Sequence, residues 1–280
     1  MKVFEAVGLW ALGGAAGCGP VLSTMTPARV LEPRGFQFNA GGSASVPLGQ
    51  LVTVVDGANS AIRAVETGGS LTDAQVNELA TNAVGLVLSP PSVTPEFQLR
   101  LGLGYRLEAG LRSTSGAWRL DGRWQFLDRS VAPLDASVGV GLSYGAAGFS
   151  LANDIVKLDD YRQFAVEVPV LFGWSGQFGH FWFGPKLMFS TASVGLGLNL
   201  NDMNGDGQRD TRLFDASVRN IHYGLQVGGA LGYRWLFATF ELTVAGLSAR
   251  GSLALGAGAP TALSYGGLVL APAFGVMLRL

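Results

Sequence analysis

Residues 117–127, AWRLDGRWQFL, alternate with a period of two. Trp118, Leu120, Trp124 and Phe126 fall on one side of an extended chain, and Arg119, Asp121, Arg123 and Gln125 fall on the other. Successive side chains of a strand point to opposite faces, so the stretch calls for a sheet with one face for large aromatic groups and the other for charge. High apolar content without long apolar runs fits two folds, a large soluble β-sandwich or a membrane β-barrel. Charged residues are only 14% of the chain, against a typical ~25%. So few charges hardly cover a water-facing surface, whereas a surface wetted by lipid needs almost none. Lipid outside and a polar lumen inside explain why aromatics and charges take opposite faces. The barrel is the better reading.

Period-two patterning marks ten segments: 36–46, 95–103, 105–113, 116–127, 133–146, 162–174, 179–194, 212–230, 233–248 and 264–280. In the first, Gln37, Asn39, Ser43 and Ser45 oppose Phe36, Phe38, Ala40, Ala44 and Val46. An even count returns both ends of the wall to the periplasm, as a single-chain bacterial barrel requires. With residue 36 on that side, the periplasmic links are Gly104–Tyr105, 128–132, 175–178 and 231–232, all short. The external links are 47–94, 114–115, 147–161, 195–211 and 249–263, long in all cases but one. Short periplasmic turns and longer external loops are the usual barrel asymmetry. The LGYR tetrads at 103–106 and 231–234 fall at two of those turns, where a tight glycine-bearing hairpin is apt. The predicted fold class is all-β, a closed antiparallel transmembrane β-barrel of ten strands. Segments 95–103 and 105–113 are short for a span of about 9–11 residues; merging them leaves eight strands as the alternative. Pro169, Pro185 and Pro272 lie inside predicted strands, where each removes a ladder donor.

Residues 47–94 interrupt the alternation. LVTVVDGANSAIRAVETGG has apolar residues at 54, 58, 61, 62 and 65, close to a helical period. SLTDAQVNELATNAVGLVL opens with a capping box, Thr72 with Gln75, ahead of Val76, Leu79, Ala80 and Val84. A two-helix insert is predicted, packed as a cap or a plug. At the other extreme of the chain, residues 1–17 read as an export signal, with Lys2 near the start, an apolar stretch and small residues before Cys18. Cys18 is the single cysteine, so no internal disulfide forms.

AAGC, ending at Cys18, resembles the lipobox of bacterial lipoproteins, a resemblance that implies lipidation of Cys18. The C-terminal APAFGVMLRL resembles the last strand recognised by outer-membrane assembly machinery. From about residue 35 to residue 280 the chain resembles small Gram-negative outer-membrane β-barrel proteins. In style it is similar to glycine-rich, lipobox-bearing barrels of myxobacteria and their relatives. The resemblance implies an outer-membrane location with membrane lipid as the first partner, and no catalytic signature comes with it.

Arg100, Arg106, Glu108, Arg112, Arg119, Asp121, Arg123, Glu167, Lys186 and Glu241 are the expected lumen charges, mixed in sign and able to pair. Trp118, Trp124, Phe172, Trp174, Phe181 and Phe183 are expected on the lipid face. NDMNGDGQRD, residues 201–210, spaces Asp202, Asn204, Asp206 and Asp210 as in the first positions of a calcium loop. Position twelve is Leu213 where an EF-hand has glutamate. The readings are a short extracellular Ca²⁺ loop or a polar turn. The chain holds only two histidines, His180 and His222, and no arrangement of histidine, acid and nucleophile is apparent. A net charge near −1 argues against electrostatic capture of nucleic acid. The expected function is therefore a structural, adhesive or partner-binding barrel, with a protein partner taken by the external loops or the insert. Passage of a small or hydrophobic solute, and a surface hydrolase carried on the barrel, are the alternatives.

Overall fold

The computed structural model describes residues 21–66, 85, 91–150, 156–200, 210–255 and 260–280. Ten strands form one closed antiparallel barrel: β1 (Phe36–Pro47), β2 (Ser92–Gly104), β3 (Leu107–Thr114), β4 (Ala117–Leu127), β5 (Asp135–Ser150), β6 (Val156–Gly176), β7 (Gly179–Leu200), β8 (Asp210–Tyr233), β9 (Leu236–Leu255) and β10 (Thr261–Arg279). Each pairs with its sequence neighbour, and β1 closes on β10 from Gln37↔Arg279 to Pro47↔Val269. The ten-strand count replaces the eight-strand alternative, because β2 and β3 are separate strands joined by a tight turn. Tyr105 and Arg106 both have positive φ, 52° and 61°, which is the backbone of a two-residue type I′ hairpin.

The alternation of the sequence becomes an inside and an outside. Trp118 and Leu120 are 61% and 65% exposed, while Arg119 between them and Asp121 and Arg123 beyond them are buried. On β8, Ile221, Tyr223, Leu225, Val227 and Leu231 all face outward. At about 3.4 Å per residue and a tilt near 45°, the stretch 221–231 spans roughly 25 Å along the membrane normal, the height of the apolar belt of an outer-membrane barrel. Rings gather at the short-turn end, where Trp174 stacks on Phe181 at 5.7 Å and Phe178 on Tyr233 at 5.7 Å. This is the interfacial girdle that amphipathic rings form at headgroup level.

Three expectations need correction. Among the described residues the insert carries one helix, α1 (Leu48–Glu66), and the two-helix insert is not found. Thr72 and Gln75, the residues of the expected capping box, lie outside the described residues. Secondly, much of the supposed loops 147–161, 195–211 and 249–263 is strand, since β6 to β9 run well past the apolar belt. Backbone pairing there continues without needing an apolar outer face. Thirdly, the turns after β2 and β8 fall at 105–106 and 234–235, a residue or more beyond their expected places.

The strand prolines are accommodated without ending their strands. Pro169 and Pro185 lie in neighbouring strands, and the β6–β7 ladder has no pairs between Pro169↔Lys186 and Phe172↔Phe183. One gap thus absorbs two missing donors. Pro272 faces a similar gap on its β1 side, between Ser43↔Ala273 and Val46↔Leu270.

Candidate functional site

Residues 21–34 run through the barrel. Val21 lies beside the β3–β4 hairpin at the end that carries α1 and the long loops, and Arg34 donates its backbone N–H to Gly102 at the short-turn end. Leu22, Ser23, Thr24, Met25, Thr26, Ala28, Val30 and Leu31 are all buried. The segment has no secondary structure of its own, so its backbone polar groups need partners from the wall.

The wall supplies them with charged and amide side chains. The Glu241 carboxylate accepts from Thr24 N at 2.6 Å, Met25 N at 2.8 Å and the Thr24 hydroxyl at 2.8 Å. Arg112 donates to the carbonyls of Ser23 at 2.5 Å and Thr24 at 2.8 Å. The Lys186 ammonium donates to Leu22 O, Asn39 to Met25 O at 2.7 Å, and Arg123 to Pro27 O at 2.8 Å. Nearer the periplasm, Gln125 and Glu108 accept from Val30 N and Leu31 N at 3.0 and 2.9 Å. Most of these contacts are to main-chain atoms. The segment's small side chains, Ser23, Thr24 and Thr26, let it pass that close.

Behind these contacts the wall charges pair with one another. Glu108 bridges Arg100 at 2.6 Å and Arg123 at 2.7 Å, and Arg100 also reaches Asp121 at 2.5 Å. Arg112 meets Glu96 at 3.3 Å, and Glu167 holds Arg119 at 2.5 Å and Lys186 at 3.2 Å. Glu241 differs. Among the described residues no cation stands within ion-pair distance of it, and besides the segment its carboxylate is held by the Trp182 indole N–H at 2.8 Å. A buried carboxylate is tolerated only when its lone pairs are filled, and here the threaded segment fills most of them.

The lumen is not polar all round. Leu22 packs among Met188, Val194, Val218, Leu247 and Leu263 on the β6–β10 side, and Ala28 among Leu171, Trp182 and Phe237. One wall reads the segment's backbone, and the other buries its apolar side chains. Glycines make room for the large groups. A Cβ on Gly141 would lie 2.6 Å from Arg119 Nε, and one on Gly228 would lie 2.3 Å from the Trp182 ring. Gly228→Ala is therefore expected to lower stability by about 1–3 kcal/mol, as overpacking does. Heat-induced unfolding of the purified barrel checks this, with Gly122→Ala, whose Cβ would meet nothing closer than 3.9 Å, as the silent control.

Of the expected lumen charges, Arg100, Glu108, Arg112, Arg119, Asp121, Arg123, Glu167, Lys186 and Glu241 are buried inside the wall. Arg106 is not there. It occupies the β2–β3 turn, half exposed, with Asp128 4.0 Å away. The turn conformation takes it out of the strand's alternation. His222 is buried in the lumen, and His180 packs its ring 4.8 Å from that of Phe237; the two belong to no common cluster. Cys18, Asp202, Asn204 and Asp206 lie outside the described residues, and Asp210 opens β8. Among the described residues no group of three or more histidine, cysteine or acidic side chains is placed to hold a metal ion.

The sequence reading missed the threaded segment, Glu96, Trp182 and Arg279. Glu96 and Trp182 keep the inward phase of β2 and β7 and were findable by counting. Arg279 donates to the carbonyls of Arg29 and Val30. The segment itself carries no periodic signal.

No family profile matches the chain, and no characterised protein matches its sequence. Solved structures similar to it at a coarse level include the two that follow. The attachment invasion locus protein Ail of Yersinia pestis has 11% identity and a TM-score of 0.30, covering 89% of this chain and 100% of its own. A major outer membrane protein of Thermus thermophilus has 9% identity and a TM-score of 0.35, covering 88% and 99%. Both scores are too low to carry an argument, so the assignment stands on the chain's own residues. A closed antiparallel wall with an even number of strands, both its ends on the short-turn side, and an apolar belt outside a packed interior give the chain the architecture of an outer-membrane β-barrel.

Proposed function

We propose that the protein is a self-sealed outer-membrane barrel that acts as a rigid stand for its external face. The observation that carries this is the threaded segment, residues 21–34, which fills the space a solute would cross. It is held along its length, from Lys186 on Leu22 to Arg279 on Val30. This favours the structural or adhesive reading over solute passage. The tall outer part of β6 to β9 lifts the face that meets a partner above the membrane, and a protein partner engaged there is part of the proposal. The test is conductance of the purified full-length barrel in a planar bilayer. A silent bilayer with demonstrably folded, inserted protein is expected; stepwise ohmic currents would sink the sealed-stand reading in favour of passage.

A further inference from the structure

The outer wall changes character where the apolar belt ends. On β8 the outward residues from Leu231 to Ile221 are mainly apolar or aromatic; the next outward position is Arg219, and then Ser217. On β6 Phe164 is followed by Arg162, and on β7 Phe189 is followed by Thr191 and Ser193. On β9 the outward face passes from Val244 through Gly246 and Ser248 to Arg250. Arginines and hydroxyls thus stand at the level where hydrocarbon gives way to headgroups, at the external end.

Arg219 and Arg250 are direct partners across the β8–β9 ladder. Like charges so opposed destabilise a sheet, and neither forms an ion pair with any described residue. Asp215, the nearest described acid along β8, is two outward positions beyond Arg219 and pairs with neither. The two arginines share an open groove with Arg162, Tyr144, Phe164, Thr191 and Ser217. In the lumen, by contrast, Glu108 serves as counter-ion to both Arg100 and Arg123. Among the described residues nothing supplies an anion to this pair.

We infer that the groove binds the phosphate of an outer-leaflet lipid headgroup. Guanidinium forks take phosphate oxygens in bidentate fashion, and two of them facing one another across a ladder present a doubly cationic seat. The adjacent hydroxyls add donors. Tyr144 and Phe164 share one cross-strand row with Thr191, Arg219 and Arg250 and offer rings for the lipid's apolar part to rest on. The site is on the outside of the wall and is independent of the sealed lumen, so its failure leaves the conductance result untouched.

The test uses the full-length barrel folded in detergent, incubated with diphosphorylated lipid A, washed, and assayed for retained lipid by native mass spectrometry. The wild-type protein is expected to retain lipid A, and Arg219→Gln/Arg250→Gln to lose retention at least ten-fold while still migrating as a folded barrel. Arg219→Lys/Arg250→Lys should keep a substantial part of the binding through charge alone. Arg234→Gln, at the opposite end and beside Tyr233, should change nothing. Equal retention by wild type and the double glutamine variant overturns the proposal. So does complete displacement of lipid A by millimolar inorganic phosphate, which would identify a small-anion site.

Discussion

Removing residues 21–33, so that residue 20 is joined directly to Arg34, is expected to turn a silent barrel into a conducting one. The segment is the material that occupies the lumen, and its contacts are of the kind that water can replace. Arg112, Lys186, Asn39 and Arg123 donate to its backbone carbonyls, and Gln125 accepts from its Val30 N–H. Water entering the emptied bore would satisfy those groups and would also provide the path for ions. The exchange is not neutral in energy. A hydrogen bond to a charged group contributes about 1.5–3 kcal/mol net, and Leu22 and Ala28 would leave apolar pockets. The deleted form should therefore unfold at a lower temperature as well as conduct. Glu241→Ala keeps the chain intact and removes the carboxylate that holds Thr24 and Met25, so it covers the case in which the deletion fails to fold. Intermittent openings are expected from it. If both variants insert folded and both stay silent, the segment is not what closes the lumen.

The direction of the segment bears on assembly. It passes from the external end at Val21 to the periplasmic end at Arg34 before β1 begins. β1 then pairs with both β2 and β10, so closure of the wall traps what lies inside it. Threading an extended chain through a finished barrel would require breaking the buried contacts one after another. Closing the wall around a segment already in place requires none of that. The wall and its occupant are thus best treated as one folding unit.

How much of this was legible beforehand follows from what each element has to satisfy. The wall was legible because lipid and lumen impose opposite demands on alternate residues, and Arg119, Asp121 and Arg123 against Trp118, Leu120 and Trp124 record both demands. Strand ends beyond the belt were not, because outside the membrane the outward face of β8 at Arg219 and Ser217 has no reason to be apolar. The turn that ejects Arg106 depends on two left-handed residues, neither of them glycine, and phase counting treats such residues as strand. The threaded segment was illegible for a different reason. Its partners are contacted through its main chain, which every sequence possesses, so Ser23, Thr24 and Thr26 look like any small polar stretch. The wall carries one sign of it: among the described residues no cation lies within ion-pair distance of the buried Glu241, whose carboxylate is filled by Thr24, Met25 and Trp182 instead.

Glu108→Ala is expected to be among the most destabilising substitutions in the wall, by roughly 3–5 kcal/mol. Glu108 is buried, bridges Arg100 and Arg123, and accepts the Leu31 N–H. Deleting its carboxylate removes a shared counter-ion and leaves Arg123 with the Pro27 carbonyl as its remaining hydrogen-bond acceptor. Arg100 keeps Asp121, so the loss falls mainly on Arg123 and on the segment. Asp128→Ala is the contrast. Its contact with Arg106 is 4.0 Å long and solvent-exposed, and an exposed pair of that length contributes little, so no measurable change is expected. The two variants differ in burial while each deletes one carboxylate of an ion pair, and heat-induced unfolding of the two purified barrels compares them directly. A Glu108→Gln variant refines the result, since the amide can still accept from Leu31 N but carries no charge. If Glu108→Gln is as damaging as Glu108→Ala, the charge dominates; if it is mild, the hydrogen bond to the segment does. Equal stability of Glu108→Ala and Asp128→Ala would mean that the interior is hydrated and its pairs are screened, contrary to the packed lumen described above.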